Sequence, residues 1–194
     1  MTGPGLPAVR RVVVVHGYDA APDSHWFPWL RDRLAADGVR TVLAELPEPS
    51  YPEAGAWSDA VARAVGEVDE HTCLVGHSLG CITLLRHLAG LPRPWTLGGI
   101  VLVAGFAGRL ESTPLLDDFL AGDVDLDAVR AGALRRLVLR SDDDPTVPAA
   151  ATEELARRLG ARLQVVPGAG HFCAADGVTR LPPVLETLVP RGGA

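Results

Sequence analysis

The sequence predicts an α/β fold, with one parallel sheet of about six strands and helices on both faces. Three observations carry this. Strand-like apolar runs alternate with stretches of helical spacing along the whole chain. The apolar runs are continuous rather than alternating, Val12 to Val15 most plainly, which suits strands covered on both sides. At 194 residues the chain can bury ~70% of its unfolded surface. No repeat or linker divides it, so residues 1–194 are expected to form a single domain.

The elements follow in order. Residues 11–15 read as the first strand. Residues 26–36 read as a helix, with Trp26, Trp29, Leu30 and Leu34 near helical spacing and Gly38 beyond the end. A short strand at 41–43 leads to a loop marked by Pro47, Pro49 and Pro52. Residues 54–68 read as a helix with Trp57, Val61, Val65 and Val68 on one face. A strand at 72–75, a helix at 79–88 and a strand at 100–103 follow. Short helices are expected at 115–120 and 126–134, broken by Gly122. The chain ends with a strand at 137–139, a helix at 149–159 stopped by Gly160, a strand at 162–166 and a helix at 181–188.

Composition excludes several classes. With 47% hydrophobic and 22% charged residues, the chain is neither disordered, collagen-like nor a coiled coil. A formal net charge of −6 argues against a nucleic-acid partner. No apolar run approaches the ~18 residues of a membrane span, so no membrane partner is expected. The first residues lack the apolar stretch of a secretory signal, and the expected compartment is the cytoplasm. Residues 1–8, with Pro4 and Pro7, are expected to be a flexible N-terminus. The three cysteines have no metal-ligand spacing; Cys73 and Cys81 sit in apolar runs and read as core. No metal and no cofactor are expected.

In a parallel sheet of this kind, ligands sit at the carboxyl ends of the strands. After the third strand comes Gly76-His77-Ser78-Leu79-Gly80. This is the G-x-S-x-G spacing of a nucleophile elbow, in which small residues allow a sharp strand-to-helix turn that exposes a serine. The strand before it and the apolar helix after it strengthen that reading. A serine nucleophile needs a base, and the base an orienting acid, here in the chain order Ser, acid, His. Candidates stand after the last two strands: Asp142, Asp143 and Asp144 in one loop, His171 in a glycine-flanked other. Asp144 is favoured because Pro145 fixes the turn after it; Asp142 is the fallback. Of the remaining histidines, His77, His71 and His87 read as structural, with His77 directed away from Ser78. His16 is expected to order its loop, and His25 to line a pocket. Cys173, near His171, is set aside as a nucleophile because Ser78 already occupies the elbow.

The amides of Leu79 and Tyr18 are the expected oxyanion donors, with Gly17 allowing close backbone approach. Gly17, His25, Trp26 and Phe106 are the candidate substrate-pocket residues.

With these stretches in place, the sequence resembles the α/β-hydrolase superfamily. Within it, the chain is similar to the small YdeN-like serine hydrolases, relatives of retinoblastoma-binding protein nine. The resemblance is carried by His16-Gly17-Tyr18, residues 25–30, the elbow, residues 98–107, Ser141 to Pro148, and Gly170-His171-Phe172, in order over nearly the whole chain. It implies Ser78 as nucleophile, Asp144 as acid and His171 as base, on an α/β-hydrolase fold without a large lid domain. The 106–134 stretch is too short for such a lid. The first loop departs from the glycine-rich one of the animal branch, so that branch's substrates do not carry over. The expected activity is cofactor-free hydrolysis of small acyl esters. Aminopeptidase or thioesterase activity from the same triad, and a weakly catalytic protein-binding module, are the alternatives.

Overall fold

A computed structural model describes residues 6–189. Six parallel strands form one sheet: β1 (Arg11–Val15), β2 (Arg40–Leu43), β3 (Thr72–His77), β4 (Gly99–Val103), β5 (Arg136–Ser141) and β6 (Arg162–Val166). Their spatial order is β2-β1-β3-β4-β5-β6. Among the described residues, six α-helices are present: α1 (Phe27–Ala36), α2 (Ala54–Val65), α3 (Leu79–Ala89), α4 (Leu126–Gly132), α5 (Ala149–Leu159) and α6 (Pro182–Leu188).

Strand geometry sends alternate side chains to opposite faces, and the valines of β1 show the result. Val13 and Val15 enter a core shared with α2, α3, α4 and α5. Val12 and Val14 enter a second core shared with α1 and α6. Both faces of the sheet are therefore covered, as the unbroken apolar run requires. The chain runs from β1 outward to β2, then returns to place β3 on the other side of β1. That reversal leaves a crevice above the carboxyl ends of β1 and β3.

Two elements differ from expectation. Helix α2 stops at Val65 rather than at residue 68, because Gly66 turns to φ 58° and ψ −143°. Val68 still packs against the core, but from the following loop. The expected helix at 115–120 is a single 3-10 turn over Pro114–Leu116 followed by turns. Leu116, Phe119 and Leu120 are nonetheless buried, so the segment hides its apolar residues without regular helix.

The expected flexible stretch, 1–8, falls partly on residues 1–5, which lie outside the described residues. Of the remainder, the Ala8 carbonyl accepts from the His71 ring and the Pro7 carbonyl from Arg135. Among the described residues, no helix is long and apolar enough to cross a membrane.

Candidate active site

The turn from β3 into α3 places Ser78 at the top of the sheet. Ser78 has φ 52° and ψ −122°, a conformation that side chains seldom adopt. Close packing enforces it. The Ser78 amide donates to the Val103 carbonyl at 2.9 Å, tying the turn to the end of β4. On the other side, a Cβ at Gly80 would collide with the carbonyl oxygens of Val15 and His16. Glycine there lets α3 press against the end of β1. The positive end of the α3 dipole is thereby directed at Ser78.

His171 reaches this serine from the loop after β6. The Ser78 hydroxyl donates to His171 Nε2 at 2.9 Å. On the far side of the ring, Nδ1–H donates to Asp144, at 2.9 Å to Oδ2 and 3.1 Å to Oδ1. Asp144 is itself fixed, because its Oδ1 accepts from the amides of Thr146 at 2.8 Å and Val147 at 3.0 Å.

The neighbouring acids have different partners. Asp142 accepts from the Gly168 amide at 2.8 Å, and Asp143 from the Gly170 amide at 2.8 Å. The Ser141 hydroxyl accepts from Ala169 at 3.0 Å, and Asp176 from His171 at 3.0 Å. Four successive amides, 168 to 171, are thus each held by a side chain. Asp142, the fallback acid, grips the loop of His171 rather than its ring.

A cavity of about 160 Å³ opens above Ser78. Tyr18, Leu79, Phe106, Leu110, Leu116 and His25 contribute to its lining, with His171 beside them. The backbone amides of Tyr18 and Leu79 have no protein acceptor among the described residues.

A family model described as serine hydrolase matches residues 12–189. The chain belongs to the serine hydrolase family. The YdeN protein of Bacillus subtilis is 40% identical over 179 residues, covering 92% of this chain and 94% of that one. The crystal structure of the Bacillus subtilis ydeN gene product superposes with a TM-score of 0.89, covering 93% of this chain and 97% of that one. The serine hydrolase RBBP9 of Rattus norvegicus is 24% identical over 149 residues, covering 76% and 77% of the two chains. Membership supports a hydrolytic function, and the six-stranded parallel sheet is that of the α/β-hydrolases.

The pocket of this serine hydrolase departs from expectation at two residues. Trp26 is a candidate pocket residue from the sequence. It is instead wholly buried against the α1–α6 face, edge-on to Phe27 at 4.7 Å between ring centroids, and takes no part in the cavity lining. The apolar ring surface is stabilised by burial there, although its Nε1 finds no hydrogen-bond partner among the described residues. Gly17 lies against Ser78 beneath the cavity instead of in its wall; a Cβ there would stand 2.9 Å from that of Ser78.

The histidines are more closely gathered than the sequence suggests. The structural role that the sequence assigns to His77 takes a definite form. The ring also lines the cavity, and its Nε2–H donates to the backbone carbonyl of His171 at 2.8 Å. Burial, then the neighbouring His171, hold its pKa well below the ordinary imidazole value. His16 bonds the Gly17 carbonyl through Nδ1 at 2.9 Å, ordering its loop. Burial also raises the Cys173 thiol to about 11, with Asp176 and Asp144 adding to the effect, so the thiolate is scarce near neutrality. The loop-holding roles of Ser141 and Asp176 are not legible in the sequence, because nothing local marks a side chain whose partner is a distant loop amide.

Proposed function

We propose that the chain is a carboxylesterase acting on small acyl esters through Ser78, His171 and Asp144. The observation that carries this reading is the single line of hydrogen bonds from Ser78 through His171 to Asp144, facing a small cavity with an apolar wall. His171 Nε2 takes the proton as Ser78 Oγ attacks the ester carbonyl. Asp144 holds the ring with its proton on Nδ1 and stabilises the imidazolium that forms. The amides of Leu79 and Tyr18 receive the developing oxyanion. His171 then gives its proton to the leaving alcohol, and a water activated by the same ring releases the acid from the acyl-enzyme. Phe106, Leu110 and Leu116 suit a short acyl chain, as does a volume of about 160 Å³.

The test is labelling of purified protein with a fluorophosphonate probe, beside Ser78→Ala and His171→Ala. Labelling of wild type that both substitutions abolish supports an activated serine. A panel of short esters, thioesters and aminoacyl amides then ranks the chemistry, and esters are expected to lead. Ser78→Ala should lower kcat by ~10⁴- to 10⁶-fold. A folded wild type that neither labels nor turns over any ester refutes the proposal, and a protein-binding role would take its place.

A further inference from the structure

His25 belongs to no part of the proton relay, yet it is held as firmly as the residues that do. It stands at φ 56°, immediately before the buried Trp26. Its ring packs edge-on against Phe27 at 5.5 Å and His77 at 5.3 Å. Its Nδ1 accepts the backbone amide of Ala174 at 3.1 Å. An amide can only donate, so Nδ1 carries a lone pair and the ring proton sits on Nε2. Burial, and secondarily the charge on His171, lower the pKa of His25, which keeps the ring neutral near neutrality. Nε2–H therefore remains a donor. Among the described residues it is paired with no protein acceptor, and the ring lines the cavity above Ser78.

Phe106, Leu110 and Leu116, from the chain after β4, give the cavity lining its apolar residues. His25 lines the same cavity and is tied to the loop of His171 and Cys173 through Ala174. Since His171 Nε2 must protonate the departing oxygen, the alcohol leaves beside His171, and His25 is the lining residue bonded to that loop.

We propose that His25 is a specificity-determining residue whose Nε2–H donates to an acceptor oxygen on the leaving alcohol, favouring esters of ether- or carbonyl-bearing alcohols over purely aliphatic ones. The inference rests on the esterase reading above and adds its leaving-group class. No change in the proton relay is involved, because His25 only binds.

Two isosteric ester pairs test it: 2-methoxyethyl against butyl acetate, and 3-methoxypropyl against pentyl acetate. Each pair differs by one oxygen in place of a methylene. In at least one pair, the ratio of kcat/KM, ether over alkyl, should fall about three- to tenfold from wild type to His25→Phe, the worth of one hydrogen bond. His25→Asn is the second variant, since asparagine tolerates positive φ and retains polar side-chain atoms. It should give an intermediate ratio. Ratios unchanged in both pairs and both variants overturn the proposal, whatever happens to absolute rates. A long-range ¹H–¹⁵N spectrum of wild type gives an independent reading. Nε2 of His25 must be found protonated at neutral pH, and a neutral ring with its proton on Nδ1, which leaves Nε2 without a hydrogen, overturns the proposal without any variant. Turnover of p-nitrophenyl acetate and fluorophosphonate labelling of wild type report on the esterase reading separately; their loss would remove both claims.

Discussion

Asp144→Asn is the substitution that probes the proposed mechanism most sharply, because the surroundings dictate how the new amide will lie. The Oδ1 atom of Asp144 receives two backbone amides, from Thr146 at 2.8 Å and Val147 at 3.0 Å. An asparagine keeps those bonds only by placing its oxygen there. Its NH2 group then takes the place of Oδ2, the oxygen 2.9 Å from His171 Nδ1. A donor at 2.9 Å outweighs the oxygen left at 3.1 Å, which two amides already occupy, so the tautomer protonated on Nε2 is favoured. In that tautomer His171 cannot accept the proton of Ser78.

The expected loss is ~10⁴-fold in kcat, the cost of a triad histidine held in the wrong tautomer. That corresponds to ~5 kcal/mol of transition-state stabilisation. Asp144 does not line the cavity, so KM should stay within about twofold. Asp142→Asn is the matched control. Its oxygen keeps the Gly168 amide in either substitution state, and the loss should stay below about tenfold. Steady-state kinetics on p-nitrophenyl acetate, with thermal unfolding to confirm the fold of each variant, decide the matter. If Asp144→Asn keeps more than about a tenth of the activity while Asp142→Asn loses more, the acid has been misassigned.

The remaining predictions concern the scaffold. The buried His77 has its pKa depressed below 6.5, so the unfolded chain takes up a proton that the folded one refuses as pH falls through 6.5. Its contribution is absent above that pH and destabilising below it, by up to about 1.4 kcal/mol per pH unit. Thermal melts from pH 7.5 down to 5 should therefore show a flatter decline in His77→Gln, which can still donate to the His171 carbonyl; identical slopes would exclude His77 as the source. Gly80→Ala drives a methyl group into the carbonyls of Val15 and His16 and should cost about 1–3 kcal/mol, a fall in Tm of roughly 2–12 °C. A variant as stable as wild type would contradict the close approach of α3 to β1. Cys173, with its thiol raised to about 11, should alkylate with iodoacetamide at pH 7.5 well below the rate of a free thiol; a faster reaction would show an activated thiolate.

Much of this architecture is legible in the sequence, for reasons particular residues make plain. Val12 to Val15 announce a doubly covered strand because both faces of β1 pack against helices. Ser78 is legible because its turn needs small residues at fixed offsets. What escapes is whatever depends on a partner far along the chain. The stretch 115–120 buries Leu116, Phe119 and Leu120, and turns satisfy that demand as well as a helix does. Trp26 stands beside the catalytic edge in sequence, yet its burial is decided by packing with Phe27 and the α6 side of the core. His77 gains its contact from His171, 94 residues away.

The three consecutive aspartates serve one loop in different ways. All three point toward the same loop, and each accepts a hydrogen bond from it. Sequence offers three adjacent carboxylates and favours Asp144 only through Pro145; the fold divides them by task. Asp142 and Asp143, with Ser141, fasten the amides of residues 168 to 170. That leaves Asp144 to face the imidazole, with its other oxygen locked by Thr146 and Val147. A histidine on an untethered glycine loop would sample many orientations, and each would have to be given up before proton transfer. Because the backbone on the approach to His171 is already fixed by its neighbours' carboxylates, Asp144 has only the ring's tautomer and orientation left to set. Placement and polarisation are thereby separated onto adjacent residues, and the substitutions that disturb one should leave the other measurable.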